Sequence, residues 1–169
     1  MLSSASWGSS TRGLGTLIAV MMRYPEISSV QYNVEDSTLS CTFILRRNLE
    51  PTVYHAMADQ LTEVLETYRA VTRRPLRYIK VTHVVMDQAT EIELVRDADT
   101  LSIEEVGMAI EVLRDLFEQD LMTDSHDLLE EELMLQEENI QAGLEVLKRD
   151  DAGRLVALRD EGRVMVFNT

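Results

Sequence analysis

The chain is poor in the residues that staple, break or decorate a fold. There is one cysteine, Cys41, so an internal disulfide is excluded, and nothing in the sequence requires an oxidising compartment. Aromatic residues make up 5%, with Trp7 the only tryptophan. The three histidines, His55, His83 and His126, stand far apart with no second histidine or cysteine close by. That spacing lacks the clustered ligands of a metal site. The longest apolar run near the N-terminus, Leu17 to Met22, falls well short of the roughly 20 residues a membrane-crossing helix needs. The first ten residues carry no Lys or Arg, which makes a poor secretory signal. A cytoplasmic protein with no membrane partner is the expectation.

Acid is what the chain has in excess. The net charge is −14, and its distribution is uneven. Residues 1–85 hold nine basic and seven acidic side chains; residues 86–169 hold seven and 23. A half this acidic repels phosphate backbones, so duplex nucleic acid is not an expected partner. It serves solubility first, and it also suits a basic protein partner.

The apolar pattern divides 169 residues into three stretches. Residues 1–15 are rich in Ser and Gly and form a tail, in which Trp7 is the one residue suited to anchoring. Residues 16–122 form an α+β core. Leu14, Leu17, Ile18, Met21 and Met22 recur at helical spacing until Pro25. Val30, Tyr32 and Val34, then Leu39, Cys41 and Phe43, alternate as two strands of a hairpin turning at Glu35–Ser37. A helix follows, with Asn48 as candidate cap and Pro51 in its first turn. Its stripe is Val53, Met57, Leu61, Val64, Leu65, Tyr68 and Val71. The pattern repeats with Ile79, Val81, His83 and Val85, a turn at Asp87–Ala89, and Ile92 with Leu94. Ser102 and Glu105 have the spacing of a capping box, and Val106, Ala109, Ile110, Leu113, Leu116 and Phe117 form the next helical stripe. Two successive ββα units result, related by an offset of 51–52 residues that pairs Val30 with Val81 and Cys41 with Ile92. Four strands with helices on one face predict a two-layer sandwich.

Residues 123–169 read as an extension: a long acidic helix over about 125–149, then a terminal hairpin. Leu129, Leu133, Ile140, Leu144 and Leu147 lie near one helix face. Leu155–Leu158 and Val164–Phe167 are apolar on both strand faces, joined by the loop Asp160-Glu161-Gly162. Such strands need cover on both sides, and an isolated hairpin is at best marginal in water. The expectation is a homodimer, with the long helix carrying the hairpin to a second subunit. Candidate interface residues are Leu133, Ile140, Leu144, Leu147, Val164, Val166 and Phe167.

No catalytic motif is present: no glycine-rich phosphate loop and no nucleophile elbow. Cys41 alternates with Leu39 and Phe43 and is a core residue rather than a nucleophile. His126 and Glu130 share a helix face without the clustering a metal site needs. No catalytic residue, cofactor or metal is therefore assigned. The one basic concentration is Arg69, Arg73, Arg74, Arg77 and Lys80. Arginine forks suit carboxylate and phosphate, which makes this stretch the candidate anion or nucleotide site of a regulatory domain. The competing reading has these arginines decorating a helix C-terminus and pairing with local acids. The first functional expectation is a non-enzymatic, self-associating interaction protein; the second is the anion-binding domain.

Overall fold

The structure is a computed structural model that describes residues 15–124, 140, 141, 144, 154–160 and 163–168. It is α+β, with one six-stranded antiparallel sheet and helices packed on it. Helix α1 covers residues 15–23. The hairpin β1 (Ser29–Asn33) and β2 (Thr38–Leu45) leads into α2 (Pro51–Val71). A second hairpin, β3 (Ile79–Met86) and β4 (Ala89–Asp97), leads into α3 (Ile103–Phe117) and a short 3-10 turn, Glu118–Asp120. Strands β5 (Arg154–Asp160) and β6 (Arg163–Asn168) close the described chain. Among the described residues, no helix is long and apolar enough to cross a membrane.

Strand order is β3-β4-β2-β1-β5-β6. The period of two dictates which face each residue takes. Val81, Leu94, Cys41, Val30, Ala157 and Val166 lie in one cross-sheet row, and the neighbouring rows hold Phe43 with Ile92 and Tyr32 with Leu155. This face packs on the helices. Phe43, Ile92, Val30, Leu155 and Ala157 are fully buried there with Leu17, Met21, Leu61, Leu65 and Leu113.

The offset of 51 holds across the centre of the sheet and fails at its flank. In the β2–β4 pairing Thr42 stands opposite Glu93, its counterpart at that offset. The two strands are therefore related by a local two-fold axis at this pair. In the outer strands the equivalence slips. Cys41 pairs with Val30 while Ile92 pairs with His83, so β1 corresponds to β3 at an offset of 53. The cause is turn length. Asn33 pairs with Thr38 across four residues, whereas Met86 pairs with Ala89 across two. Two extra turn residues shift the register by two, which keeps every side chain on its proper face.

Helix ends differ from expectation in one place. Pro51 occupies the first turn of α2 as its fixed φ and missing N–H favour, but the N-cap is Glu50, not Asn48, and makes no side-chain cap. The buried stripe of α2 is Tyr54, Met57, Leu61, Leu65 and Arg69; Val71 is exposed. At α3 the expected box forms. Glu105 reaches back to accept the Ser102 backbone N–H at 2.8 Å and the Ser102 hydroxyl at 3.1 Å.

The C-terminal hairpin belongs to its own chain's sheet. β5 pairs with β1 from Ser29↔Leu158 to Asn33↔Arg154. Subunit exchange is thus not needed to satisfy this hairpin; its inner face closes the core at home. Arg159 fastens it, donating to the Ile27 carbonyl at 3.1 Å, to Asp124 at 3.2 Å and to the Met21 carbonyl at the end of α1. Asp160 pairs with Arg163, so the connection is two residues rather than three. Most of the expected acidic helix lies outside the described residues. Ile140, Gln141 and Leu144 are helical, and the Gln141 side chain accepts the Ile103 N–H at 3.1 Å at the start of α3.

Candidate interaction surface

Among the described residues, the densest cluster of charged side chains is a buried ionic knot where β4, α2 and α3 meet. Arg96 sits on the helix-facing side of β4 and is 1% exposed. Its Nε donates to Glu105 Oε1 at 2.9 Å, and its Nη2 lies 2.8 Å from the same oxygen without an aligned hydrogen bond. Its Nη1 meets the carboxylate of Asp97, the Tyr78 carbonyl at 3.1 Å and the Thr100 hydroxyl at 3.2 Å. Arg69, at the end of α2, approaches Glu105 Oε2 at 3.5 Å and donates to the carbonyls of Pro75 and Thr100. Two guanidiniums thus face two carboxylates, and the charges cancel.

The knot leaves one donor, Arg96 Nη2, without a hydrogen-bond partner, but little space for a ligand. Both Asp97 oxygens are engaged, by the Tyr78 N–H and Arg96 on one side and by the Thr100 N–H and hydroxyl on the other. Burial alone would push the Asp97 carboxyl upward; the bonds from Thr100, the Tyr78 N–H and Arg96 outweigh it and hold the group below the ordinary carboxylate range. The cavity beside Arg96, lined by Leu39, Cys41, Leu65, Leu94, Leu101, Glu105 and Val106, is about 10 Å³. That is room for about one water. Cys41 borders it, and burial first, then the charge of Glu93, pushes its thiol up to about 12. A thiol so protonated is no nucleophile. Among the described residues, no group of three or more His, Cys, Asp and Glu side chains is placed to hold a metal. His126 and Glu130 lie outside the described residues.

The basic stretch does not converge. Arg69 points into the knot. Arg73 sits in a left-handed conformation, φ 55°, just past α2, and it is exposed, as is Arg74. Arg77 is exposed and pairs with Asp99 at 3.7 Å. Lys80 is exposed and faces away from the helices, in the row of Val95 and Ser40. A cleft of about 580 Å³ does lie next to Arg77, but Asp36, Asp97 and Asp99 line it as well. Acids outnumber the single arginine there, which disfavours an anion.

Among the described residues, exposed apolar side chains gather at both sheet margins, at Val84, Val85 and Met86 on β3 and on the C-terminal hairpin, where they form a paired block. Leu155 and Ala157 point inward and are fully buried, with Val164 and Val166 half-buried against the core. The alternate residues point to the open face of the sheet: Val156 opposite Phe167 and Leu158 opposite Met165. These four form a two-by-two apolar block. Met165 is 41% exposed and Phe167 45%. Between this block and β4 the same face carries polar residues, Ser29, Gln31, Ser40 and Thr42, of which Ser29 and Thr42 are buried. The block is therefore a bounded patch and not one end of a continuous greasy sheet.

Of the interface residues expected from sequence, Phe167 is on this surface. Val164 and Val166 back it from the core side. Ile140 and Leu144 are buried in the chain's own core, 0% and 4% exposed, so they are not available to a partner. Leu133 and Leu147 lie outside the described residues. Sequence reasoning missed Val156, Leu158 and Met165 as surface residues. The alternation needed to find them was hidden because both faces of the hairpin are apolar.

Searches of protein-family models, of curated proteins and of solved structures find no match to this chain.

Proposed function

We propose that this protein is a non-enzymatic interaction protein that self-associates, as a dimer, through the outer surface of its C-terminal hairpin. The observation that carries the reading is the block of Val156, Leu158, Met165 and Phe167, held on the open sheet face by a hairpin whose inner face is already satisfied. A hairpin needed only for the core would carry polar residues at these alternate positions. Met165 and Phe167 are nearly half exposed, so covering them adds about 1 kcal/mol each, since full burial is worth roughly 1.5–3. A dimer counts each residue twice. The buried thiol and the acid-rich composition suit a cytoplasmic setting.

Sedimentation equilibrium over a wide concentration range tests the reading. The full chain is expected to show a reversible monomer–dimer equilibrium. Met165→Lys should abolish it while leaving the circular dichroism spectrum and melting temperature near those of the parent. A parent protein that stays monomeric at all concentrations would overturn the reading.

A further inference from the structure

A six-stranded open sheet has two edges, and they are built differently. Backbone direction follows from two hydrogen bonds. Asp97 N–H donates to the Tyr78 carbonyl, so Tyr78 faces β4 and Ile79, Val81, His83 and Val85 present their N–H and C=O groups outward. Arg159 N–H donates to the Ser28 carbonyl, so Arg159 faces β1, while Leu158 and Val156 face β6. Their partners Met165 and Phe167 face back, and Val164, Val166 and Asn168 present their backbone groups outward.

The β3 edge is obstructed at its centre, at Val81 and His83, while Val85 beyond them is exposed. The Tyr54 hydroxyl on α2 donates to the outward Val81 carbonyl at 2.8 Å, and the His83 ring stacks on Tyr54 with centroids 3.6 Å apart. Lys80 is exposed on the same strand. A side chain on the carbonyl row and a lysine are devices that keep another strand from adding. Among the described residues, the β6 edge has no side chain on its carbonyl row, and its one charge is the exposed Arg163 at its first residue. Between Arg163 and Asn168 every residue is apolar, with no charge, proline or glycine. Among the described residues, nothing caps the outward groups of Val164, Val166 and Asn168.

We infer that β6 pairs with β6 of a second copy, antiparallel about a two-fold axis at Val166, making one continuous sheet across the dimer. The inference rests on the self-association proposed above and specifies its geometry. Three outward residues evenly spaced about Val166 are self-complementary: Val164 meets Asn168 of the other copy, and Val166 meets its own equivalent. In that register Met165 lies directly opposite Phe167 across the axis, twice. Thioether against aromatic ring is a favourable contact, and the close, non-hydrogen-bonded position brings the two together. Charge suits a second copy as the occupant of this edge. The molecule carries −14 overall, yet β6 brings no acidic side chain to the axis, so two copies can approach here without like charges meeting. The two apolar blocks then merge into one.

Amide hydrogen exchange on the full-length protein, at low and high concentration, tests the geometry, with sedimentation run in parallel. The expected result is that Val164 and Val166 amides slow by roughly tenfold once the protein is dimeric, while Ile79 and His83 amides do not change. A dimer in which Val164 and Val166 exchange as in the monomer would overturn edge pairing and leave self-association standing. Slowing at Ile79 and His83 instead would place the interface on the other edge and overturn it equally. Absence of a dimer would overturn both proposals. The register has its own check. Met165→Cys protein mixed with Phe167→Cys protein should form a disulfide-linked pair, and neither variant alone should do so comparably; cross-linking of one variant with itself in preference to the mixture would overturn the register.

Discussion

Arg69 and Arg77 stand in the same basic stretch of sequence, and the fold uses them in opposite ways. Arg69 is 4% exposed and anchors the end of α2 to Glu105 and to two carbonyls. The Arg77 side chain is 68% exposed and meets one carboxylate, at 3.7 Å. Inside, fixed acceptors replace water at most of the guanidinium nitrogens, and removing one partner strands the other charge in a dry place. Outside, water screens the pair and readily replaces either member. Charge density along the sequence therefore says little about energy; the surroundings of each charge decide it.

The sharpest way to break this contrast is to remove the centre of the knot. Arg96→Ala leaves Asp97 and Glu105 as buried carboxylates with a cation missing. It should destabilise the fold by about 3–5 kcal/mol in urea unfolding. That is a large share of the roughly 5–15 kcal/mol of a whole domain, so partial unfolding at room temperature is an acceptable outcome. A loss under about 1 kcal/mol would mean the knot is far wetter than its geometry shows.

The second effect is smaller and appears with pH. The Asp97 carboxyl is held below its ordinary range in the folded chain, so its stabilising contribution is fully present above the unfolded value. It is lost as pH falls through the folded value. The difference in stability between the parent and Asp97→Asn should accordingly be constant from neutral pH down to about pH 5 and shrink below about pH 4. At neutral pH that difference should be about 1.5–3 kcal/mol, as for hydrogen bonds to a charged group. Chemical denaturation of both proteins across the acid range measures it. A gap independent of pH would assign the effect to packing.

How much of this was legible in advance follows the same division. Alternation and helical period were enough for the strands β1 to β4, for α1 and α3 and for the capping box at Ser102, because one wet face gave each element a clean pattern. The stripe of α2 drifted at its end. Val71 looked like core and Arg69 like surface, yet a helix that ends beside Glu105 can bury an arginine and expose a valine. Only a long-range partner, Glu105, 36 residues on, decides between them. Arg96 was hidden for a related reason: in a strand of alternating Ile92 and Leu94 it occupies the next inward position, and a period-two pattern cannot announce that a charge will be neutralised there. The hairpin misled in the other direction. Two apolar faces implied that both want cover, but the inner face found it on β1, more than 120 residues earlier, which no local pattern reveals. Turn lengths were each misread by one residue: the three expected at Glu35–Ser37 are four, and the three expected at Asp87–Ala89 are two. That is why the offset of 51 survives at Thr42 and Glu93 and becomes 53 at the outer strands.

The weakest perturbation sharpens the contrast from its other side. Arg77→Ala removes the partner of Asp99, whose side chain is 46% exposed. The pair is at the long end of ion-pair distances, both members are hydrated, and holding the flexible arginine in one rotamer costs entropy that offsets the attraction. The expected change is below about 0.5 kcal/mol. Salt supplies the discriminating measurement. Whatever small contribution the pair makes should vanish as the Debye length drops to roughly 3 Å near 1 M, because the charges are then screened at their own separation. The destabilisation caused by Arg96→Ala should persist under the same conditions, since ions do not enter a site whose arginine is 1% exposed. Equal salt sensitivity of the two variants would erase the distinction between inner and outer arginines. A salt-independent loss at Arg77 alone would instead indicate that its aliphatic stem, and not its charge, packs against the start of β3.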